Sequence, residues 1–472
     1  MRERSEDRHV WWWRWVGLAV VGCLLCPWRA AAQPAASGPL SLNDAVRLAL
    51  KNYPALKESR ARARAADEGI GVARTAYLPR LDMLWQDNRA TTNNVFALLL
   101  PQSVVPPISG PVLGTRSYSG VWGSAAGVQL SWEALDFGQR KASVDVARAQ
   151  SSFASAQTVL TELDVAAAAA DAFVTVLASD EAVRAARANV DRLQVFADNV
   201  RTLVTNQLRP GADESRANAE LAIAKNQLSQ AVQTADIARA TLADAIGAAG
   251  TTVELAAGGL ANLPQGLALG AADLKSHPAA RADLAVIETV RARERLLDRS
   301  YFPHVTFQSA FAGRDSGAQV PGLPPPGNGL WPQVPNWAVG LSVTFAAFDL
   351  FTVNARKRVE LQNELAETAR YDRTIQTLTT QDARAQALMK AAVDIAQNTP
   401  IERQAATAAE SQARARYGSG LTSITEVAEA QRLLAQAEAD DAVARLGVWR
   451  ALLAAAQVRG DLTPFLERTR QP

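Results

Sequence analysis

The feature that most constrains this 472-residue chain is an internal duplication. The stretch from Pro54 to the Tyr-Leu-Pro at 77–79 returns as the stretch from Pro278 to the Tyr-Phe-Pro at 301–303, a constant offset of 224. An amphipathic, strand-like segment follows each time. The chain is therefore predicted to be a tandem of two similar halves, and its fold has to be argued as one unit used twice.

The first 32 residues have the composition of an export signal. A charged start, an apolar run and small residues up to Ala32 predict cleavage between Ala32 and Gln33. Both cysteines, Cys23 and Cys26, lie in this segment, so the exported chain would contain no disulfide. The residues before Cys23 also resemble a lipoprotein processing site, and an anchoring lipid on Cys23 remains the alternative.

Charge and hydropathy limit the kinds of partner and of membrane-spanning segment that the chain can have. Without the signal, which holds five arginines and three acidic residues, the chain has 44 residues of each sign. This balance argues against nucleic acid as a partner. Beyond the signal there is no run of 18 apolar residues, so no spanning helix is predicted and only strands could cross a membrane.

Two hairpins are predicted, over about 80–136 and about 303–349, with Pro- and Gly-rich loops at 101–114 and 321–335. Apolar and polar residues alternate in their strands, which gives each strand one apolar face. Five of the six tryptophans beyond the signal lie in these hairpins: Trp85, Trp122, Trp132, Trp331 and Trp337. Interfacial aromatics are typical of membrane β-barrels, and the core of a soluble sandwich is the alternative.

After each hairpin the hydrophobic period becomes helical. Apolar residues spaced by three and four predict a long coiled-coil helix, a turn and a shorter helix, over about 138–247 and again over about 352–458. Pro400 is expected to interrupt and kink the second long helix. The two repeats are thus predicted over 33–247 and 276–472, with residues 248–275 as a linker.

These segments predict a mainly α fold with a membrane β-barrel, in which each repeat contains a helix, a β-hairpin, a long helix and a short helix. Four strands cannot close a barrel, and an open edge in lipid leaves backbone groups without hydrogen bonds. Several copies must therefore share one barrel if the strands span a membrane. A dimer would supply eight strands and a trimer twelve.

The order and duplication of these motifs resemble the outer membrane efflux protein family, the TolC-like channels of tripartite efflux and type I secretion systems. The twin strand starts, the corner at 135–140 and the turn at 417–420 carry the resemblance. It implies a homotrimer with a twelve-stranded barrel in the outer membrane of a Gram-negative bacterium and an α-helical tunnel in the periplasm. The implied partners are outer-membrane lipid, a periplasmic adaptor and an inner-membrane pump of the RND or ABC type, for which the chain is the passive exit duct.

The resemblance also implies where the functional residues lie. The two helix-to-helix turns are expected at the periplasmic tip, where an adaptor would contact Arg209, Pro210, Gly211, Gly418, Gly420, Leu421 and Thr422. A constriction is expected beside the second turn, at Tyr417, Glu426 and Glu429. The two glutamates share a helical face, and in a trimer they would ring a narrow lumen and attract cations. A solvated acidic face at a helix N-terminus is the alternative.

One departure from the family pattern lies at the second strand-to-helix corner. Leu350 and Phe351 stand where a glycine is expected after Asp349, so this corner has to turn without the conformational freedom of glycine.

No catalytic, cofactor or metal motif is found in the sequence. His277 and His304 stand alone beside prolines, where a surface or turn position is expected, and no Walker loop, nucleophile elbow or dinucleotide fingerprint is present. The chain is therefore predicted to be no enzyme and to need no cofactor. The alternative function is a soluble periplasmic coiled-coil scaffold or adaptor whose hairpins pack as a sandwich.

Overall fold

A computed structural model describes residues 39–91, 118–264, 272–318 and 327–470. The predicted signal, with Cys23, Ala32 and Gln33, and much of both hairpin loops lie outside these residues. The described chain is mainly helical, with one small antiparallel sheet. None of its helices is both long enough and apolar enough to cross a membrane.

The first repeat contains α1 (Leu42–Asn52), α2 (Pro54–Thr75), β1 (Arg80–Thr91), β2 (Gly120–Leu135), α3 (Gln139–Thr205) and α4 (Gly211–Ala245). Ser41 caps α1, and its hydroxyl accepts the amide N–H of Asp44 at 3.2 Å. Two helices form where one helix per repeat is predicted, because the chain is extended at Tyr53. The ring of Pro54 keeps the preceding residue out of the helical region, so two helices form.

The second repeat contains α5 (Pro278–Arg299), β3 (His304–Ser316), β4 (Val334–Thr344), α6 (Asp349–Gly418) and α7 (Ile424–Val458), followed by α8 (Thr463–Arg468). Two short 3₁₀ turns, Gly258–Ala261 and Leu274–Ser276, lie in the segment between the repeats. The repeats match closely, because α5 follows α2 by 224 residues at both ends and α7 follows α4 by 213 at both ends.

The long helix α6 passes through Pro400 without interruption, so the break predicted there is wrong. A proline removes one hydrogen bond of this 70-residue helix. Packing supplies the compensation, since Ala406 on α6 is buried against Leu434 and Ala437 of α7 just beyond the proline.

The two hairpins join into one sheet with the strand order β1-β2-β3-β4. β2 and β3 pair across the repeats, with Val128 opposite Phe311. Within the hairpins, Leu81 lies opposite Leu130 and Val305 lies opposite Val343. Offsets of 224 and 213 carry the first pair onto the second, so the repeats share one strand register and differ in length only in their loops.

This register places large apolar side chains of all four strands on one face of the sheet. The exposed members include Leu81, Met83, Trp85, Trp122, Val128, Trp132, Phe311, Trp337, Val339, Leu341 and Val343. A soluble sandwich would bury such a face under a second sheet, but the described strands form a single layer. A contiguous exposed apolar surface of this kind requires lipid or a partner.

The main helical core lies where α1, α3, α7 and α8 meet. Phe173 and Trp449 are fully buried there, and the Trp449 indole donates its N–H to the carbonyl of Asn262 at 2.9 Å. The alanine-rich stretch of α3 around Ala169 lets the neighbouring helices approach closely. α3 is the central helix, because it contacts α1, α2, α4, α5 and α7.

The two strand-to-helix corners form the same turn with different residues. At the first corner, Phe137 and Gly138 have φ angles of 50° and 95°. Asp136 is buried, and its carboxylate accepts the Arg140 Nε at 2.9 Å together with backbone N–H groups. Burial alone would raise the pKa of Asp136, but these bonds outweigh it and lower the pKa. At the second corner α6 begins directly at Asp349, so no glycine is needed.

Candidate functional site

The two helix-to-helix turns have the same backbone geometry. Gln207 and Gly420 both adopt the left-handed conformation, with φ angles of 60° and 78°. In each turn the next amide closes back onto the helix, from Leu208 to the Leu203 carbonyl at 2.9 Å and from Leu421 to the Arg416 carbonyl at 2.8 Å. Both helices therefore end in a Schellman motif.

The equivalent of Gly420 in the first repeat is thus Gln207, and Gly211 is instead the first residue of α4. Counted from these left-handed residues, Asp213 and Glu426 occupy equivalent positions, six residues along. Counting from Gly211 instead would leave Asp213 without a match. The constant offset of 213 was the signal that identifies it.

The tip has a core of its own, formed by the ends of α3, α4, α6 and α7. Tyr417 is at its centre, with 3% of its surface exposed and its ring centroid 5.9 Å from that of Phe196. Val200 and Val427 are fully buried beside it. A side chain expected at a constriction therefore lies in the interior of the single chain.

Tyr417 connects the two turns through both of its polar groups. Its hydroxyl donates to the Asp213 carboxylate at 2.7 Å, and its carbonyl accepts the Arg209 guanidinium. That guanidinium also lies over the Tyr417 ring, 4.3 Å from the centroid. Arg209 of the first turn and Tyr417 of the second are thus joined by a cation–π contact and a charge-assisted hydrogen bond.

Burial and the bond to Asp213 raise the pKa of Tyr417 to about 12. Removal of the phenol proton would place a second negative charge beside the Asp213 carboxylate in a poorly solvated site. The hydroxyl therefore remains a donor at every pH a cell meets. The tie between the two helix pairs does not titrate in that range.

The other predicted tip residues line the outside of the turns. Pro210, Gly211, Gly418 and Gly420 are exposed, and Thr422 is half-buried. Leu421 is 70% exposed, and its equivalent in the first turn, Leu208, is 68% exposed. The sequence did not single out Leu208, although the same offset of 213 identifies it. The two turns therefore present an equivalent pair of unburied leucines.

Glu426 and Glu429 are exposed on the first turns of α7. The Glu429 carboxylate pairs with Arg432 of the same helix at 2.9 Å. They do not contact Tyr417, whose carboxylate partner is Asp213. The single chain thus places an interior tie and an exposed acidic face side by side at the tip.

A cavity of about 430 Å³ lies next to Tyr417 between α3 and α6, lined by residues that include Arg192, Phe196 and Arg414. Arg192 reaches across to Glu438 of α7. In the part of the chain that the structure describes, no group of three or more His, Cys, Asp and Glu side chains could hold a metal ion. The contacts of the tip hold its helices together.

A model of the outer membrane efflux protein family matches residues 45–248 and 273–460. The chain belongs to the outer membrane efflux protein family. It is an outer-membrane protein that extends into the periplasm, where it serves as an exit duct of efflux systems. Channels of this family form trimers and work with adaptor proteins and inner-membrane pumps, and the family is one of transport proteins and not of enzymes.

Solved channels share the fold. The Campylobacter jejuni CmeC outer membrane channel has 15% identity and a TM-score of 0.73, over 91% of this chain and 89% of that chain. The open state of the Neisseria gonorrhoeae MtrE channel has 19% identity and a TM-score of 0.70, over 91% of each chain. The outer-membrane channel OprN has 21% identity and a TM-score of 0.70, over 89% of each chain. Comparison with curated proteins gives no significant match.

Proposed function

We propose that three copies of this efflux protein close a twelve-stranded barrel through which cargo passes passively from a pump to the exterior. The observation that carries the proposal is the sheet itself. Its apolar face is exposed, and β1 and β4 are the edge strands of the sheet among the residues that the structure describes. Lipid can cover the apolar face, while only another strand can form hydrogen bonds with the backbone groups of the edge strands.

The internal repeat predicts the strand register of the contact between neighbouring copies. β2 and β4 are equivalent, as are β3 and β1, so the joint between copies should copy the joint between the repeats. Shifted by 213 and 224, the pairing of Val128 with Phe311 places Leu341 of one copy opposite Asp87 of the next. The same shifts keep apolar side chains on one face around the ring.

The tip is the proposed contact for a periplasmic adaptor. The exposed Leu208 and Leu421, with Pro210 and Gly418 beside them, offer a small apolar surface that a helical partner could cover. The partner pump would be of the RND or ABC type. Signal cleavage after Ala32 and a lipid on Cys23 remain the two alternatives for the N-terminus.

Under threefold symmetry, Glu426 and Glu429 would place six carboxylates around the lumen, and Arg432 offsets part of the charge on Glu429. Repulsion between the carboxylates would be relieved by widening or by bound cations. The Arg209–Tyr417–Asp213 tie opposes widening, because it holds the two helix pairs of each chain together. Carboxylate repulsion thus favours the open tip, and the tie favours the closed one.

Planar-bilayer conductance of the purified protein tests this arrangement. Glu426→Gln together with Glu429→Gln is expected to raise the conductance and to weaken block by divalent cations. Glu402→Gln, an exposed carboxylate further up α6, is the matched control and should change neither. Unchanged conductance and block in the double variant would dismiss the constriction, and electrically silent bilayers would dismiss the duct.

A further inference from the structure

The apolar surface of the sheet does not end with the sheet at the second corner. It continues from Val343 in β4 through Phe345 to Phe348 and Phe351 at the start of α6. Phe348 is 84% exposed and Phe351 is 72% exposed. Because these two residues are three apart in sequence, they lie on one face of the helix.

Basic residues follow directly below the phenylalanines on α6. Arg358 stands seven residues after Phe351, so it is two turns further along the same face. Lys357 is paired with Asp298 of α5 at 2.5 Å. Arg356 and Arg358 are exposed, and neither has an ion-pair partner among the residues that the structure describes.

The internal repeat shows that the fold does not require this surface. At the first corner, Gly138 occupies the position equivalent to Phe351, and Asp145 occupies the position equivalent to Arg358. Asp145 is paired with Arg148 on its own helix at 2.8 Å. The first corner therefore turns from strand to helix with no aromatic at the position of Phe351, although the neighbouring Phe137 is 49% exposed, and with the opposite charge at the position of Arg358.

We propose that the second corner binds the headgroup of an anionic phospholipid in the periplasm-facing leaflet, an inference that rests on the membrane-spanning sheet proposed above. Phe348 and Phe351 lie at the boundary of the acyl chains, and Arg358, which shares the helical face of Phe351, contacts the phosphate. Seven helical residues separate Phe351 from Arg358 by about 10 Å along the axis. The headgroup region is about 5–7 Å thick, and an arginine side chain can extend back into it.

Site-directed nitroxide labels test the position of the phenylalanines. The only cysteines are Cys23 and Cys26, so single labels can be placed in a chain with Cys23→Ser and Cys26→Ser. Labels at Phe351→Cys, at Val339→Cys on the sheet face and at Gln362→Cys, three turns below on the same helical face, are compared in phosphatidylethanolamine–phosphatidylglycerol vesicles. Labels at 351 and 339 should collide with oxygen and be protected from a water-soluble nickel complex, while 362 shows the reverse.

Three results of the labelling experiment would count against the proposals, and they are distinguishable. A label at 351 that behaves like 362 overturns the lipid contact. A label at 351 that is shielded from both reagents overturns it too, because it shows a contact between copies of the chain. If 339 is also water-exposed, the proposed barrel itself fails.

Lipid selectivity tests the role of Arg358. The association of spin-labelled phosphatidylglycerol is compared with that of spin-labelled phosphatidylcholine. The native trimer should prefer phosphatidylglycerol, and Arg358→Gln should reduce this preference by up to about fivefold. Lys390→Gln, an exposed cation further down α6, is the matched control and should leave the preference unchanged. Equal preference in the native protein and in Arg358→Gln would overturn the proposal.

Discussion

At the scale of single residues, Tyr417 is the side chain on which the tip depends. Tyr417→Phe keeps the ring in its core and removes the hydroxyl that donates to Asp213. We expect a loss of about 1 kcal/mol of local stability, seen as faster amide exchange in both turns. Tyr371→Phe is the control, because that hydroxyl on the same helix makes no hydrogen bond in the described chain. Equal amide exchange in the two variants would show that the hydrogen bond from Tyr417 to Asp213 does not stabilise the tip.

The pKa of Tyr417 gives an independent check. Because the pKa in the folded chain is raised to about 12 from an ordinary value of 10.0, the stabilising contribution is complete below about pH 10 and is lost as the pH rises through 12. Phenolate absorbance should therefore show one tyrosine that ionises late. That late step should disappear in Tyr417→Phe and persist in Tyr371→Phe.

His277 responds to acid. It is buried at the start of α5, where its Nδ1 accepts the Ala279 amide and its Nε2 donates to the Gln457 carbonyl at 3.2 Å. The expected surface or turn position is thus only half right, because this capping histidine is interior. Burial lowers its pKa, against the opposing effects of the Gln457 bond and of the charge on Asp164.

A histidine with a lowered pKa stabilises the fold above its unfolded value, about 6.5, and that contribution is lost as the pH falls through the folded value. We therefore expect the thermal midpoint to decline below about pH 6.5. His277→Asn preserves a capping side chain that does not titrate, so this part of the decline should vanish. An identical pH profile in the variant would contradict the role assigned to His277.

At the scale of elements, the two tip turns are a matched pair with unmatched residues. Gln207 holds a left-handed conformation that Gly420 holds at less cost. Gln207→Gly is expected to stabilise the end of α3 by up to about 1 kcal/mol, and Gly420→Ala to destabilise the end of α6 by about the same amount. Amide exchange at the two helix ends measures both. Changes of the same sign would show that the turns are not equivalent.

The repeat made most element boundaries predictable. The starts of β1 and β3 and the ends of α4 and α7 follow from prolines and helical periodicity that occur twice. The repeat pattern did not predict two local effects. At Tyr53 the following proline divides a helix into two, and at Pro400 helix packing keeps α6 continuous. The tie between Arg209 and Tyr417 could not be predicted, because periodicity says nothing about contacts between residues 208 positions apart.

At the scale of the whole molecule, the helices of the single chain are packed together, while its sheet exposes an apolar face. Its helices have cores of their own, at the level of Trp449 and again at the tip around Tyr417. Within the described residues, its sheet exposes an apolar face and has β1 and β4 as its edge strands. The account therefore depends on the closure of the sheet between copies.

Disulfide trapping across that joint is the most direct measurement. With Leu341→Cys and Asp87→Cys in a chain without Cys23 and Cys26, oxidation in the membrane should link neighbouring copies and give a covalent trimer on denaturing gels. The shifted pair Leu341→Cys with Leu81→Cys, about 20 Å out of register, should not link. A chain that stays monomeric in the first variant, or that links equally well in the second, would contradict the account.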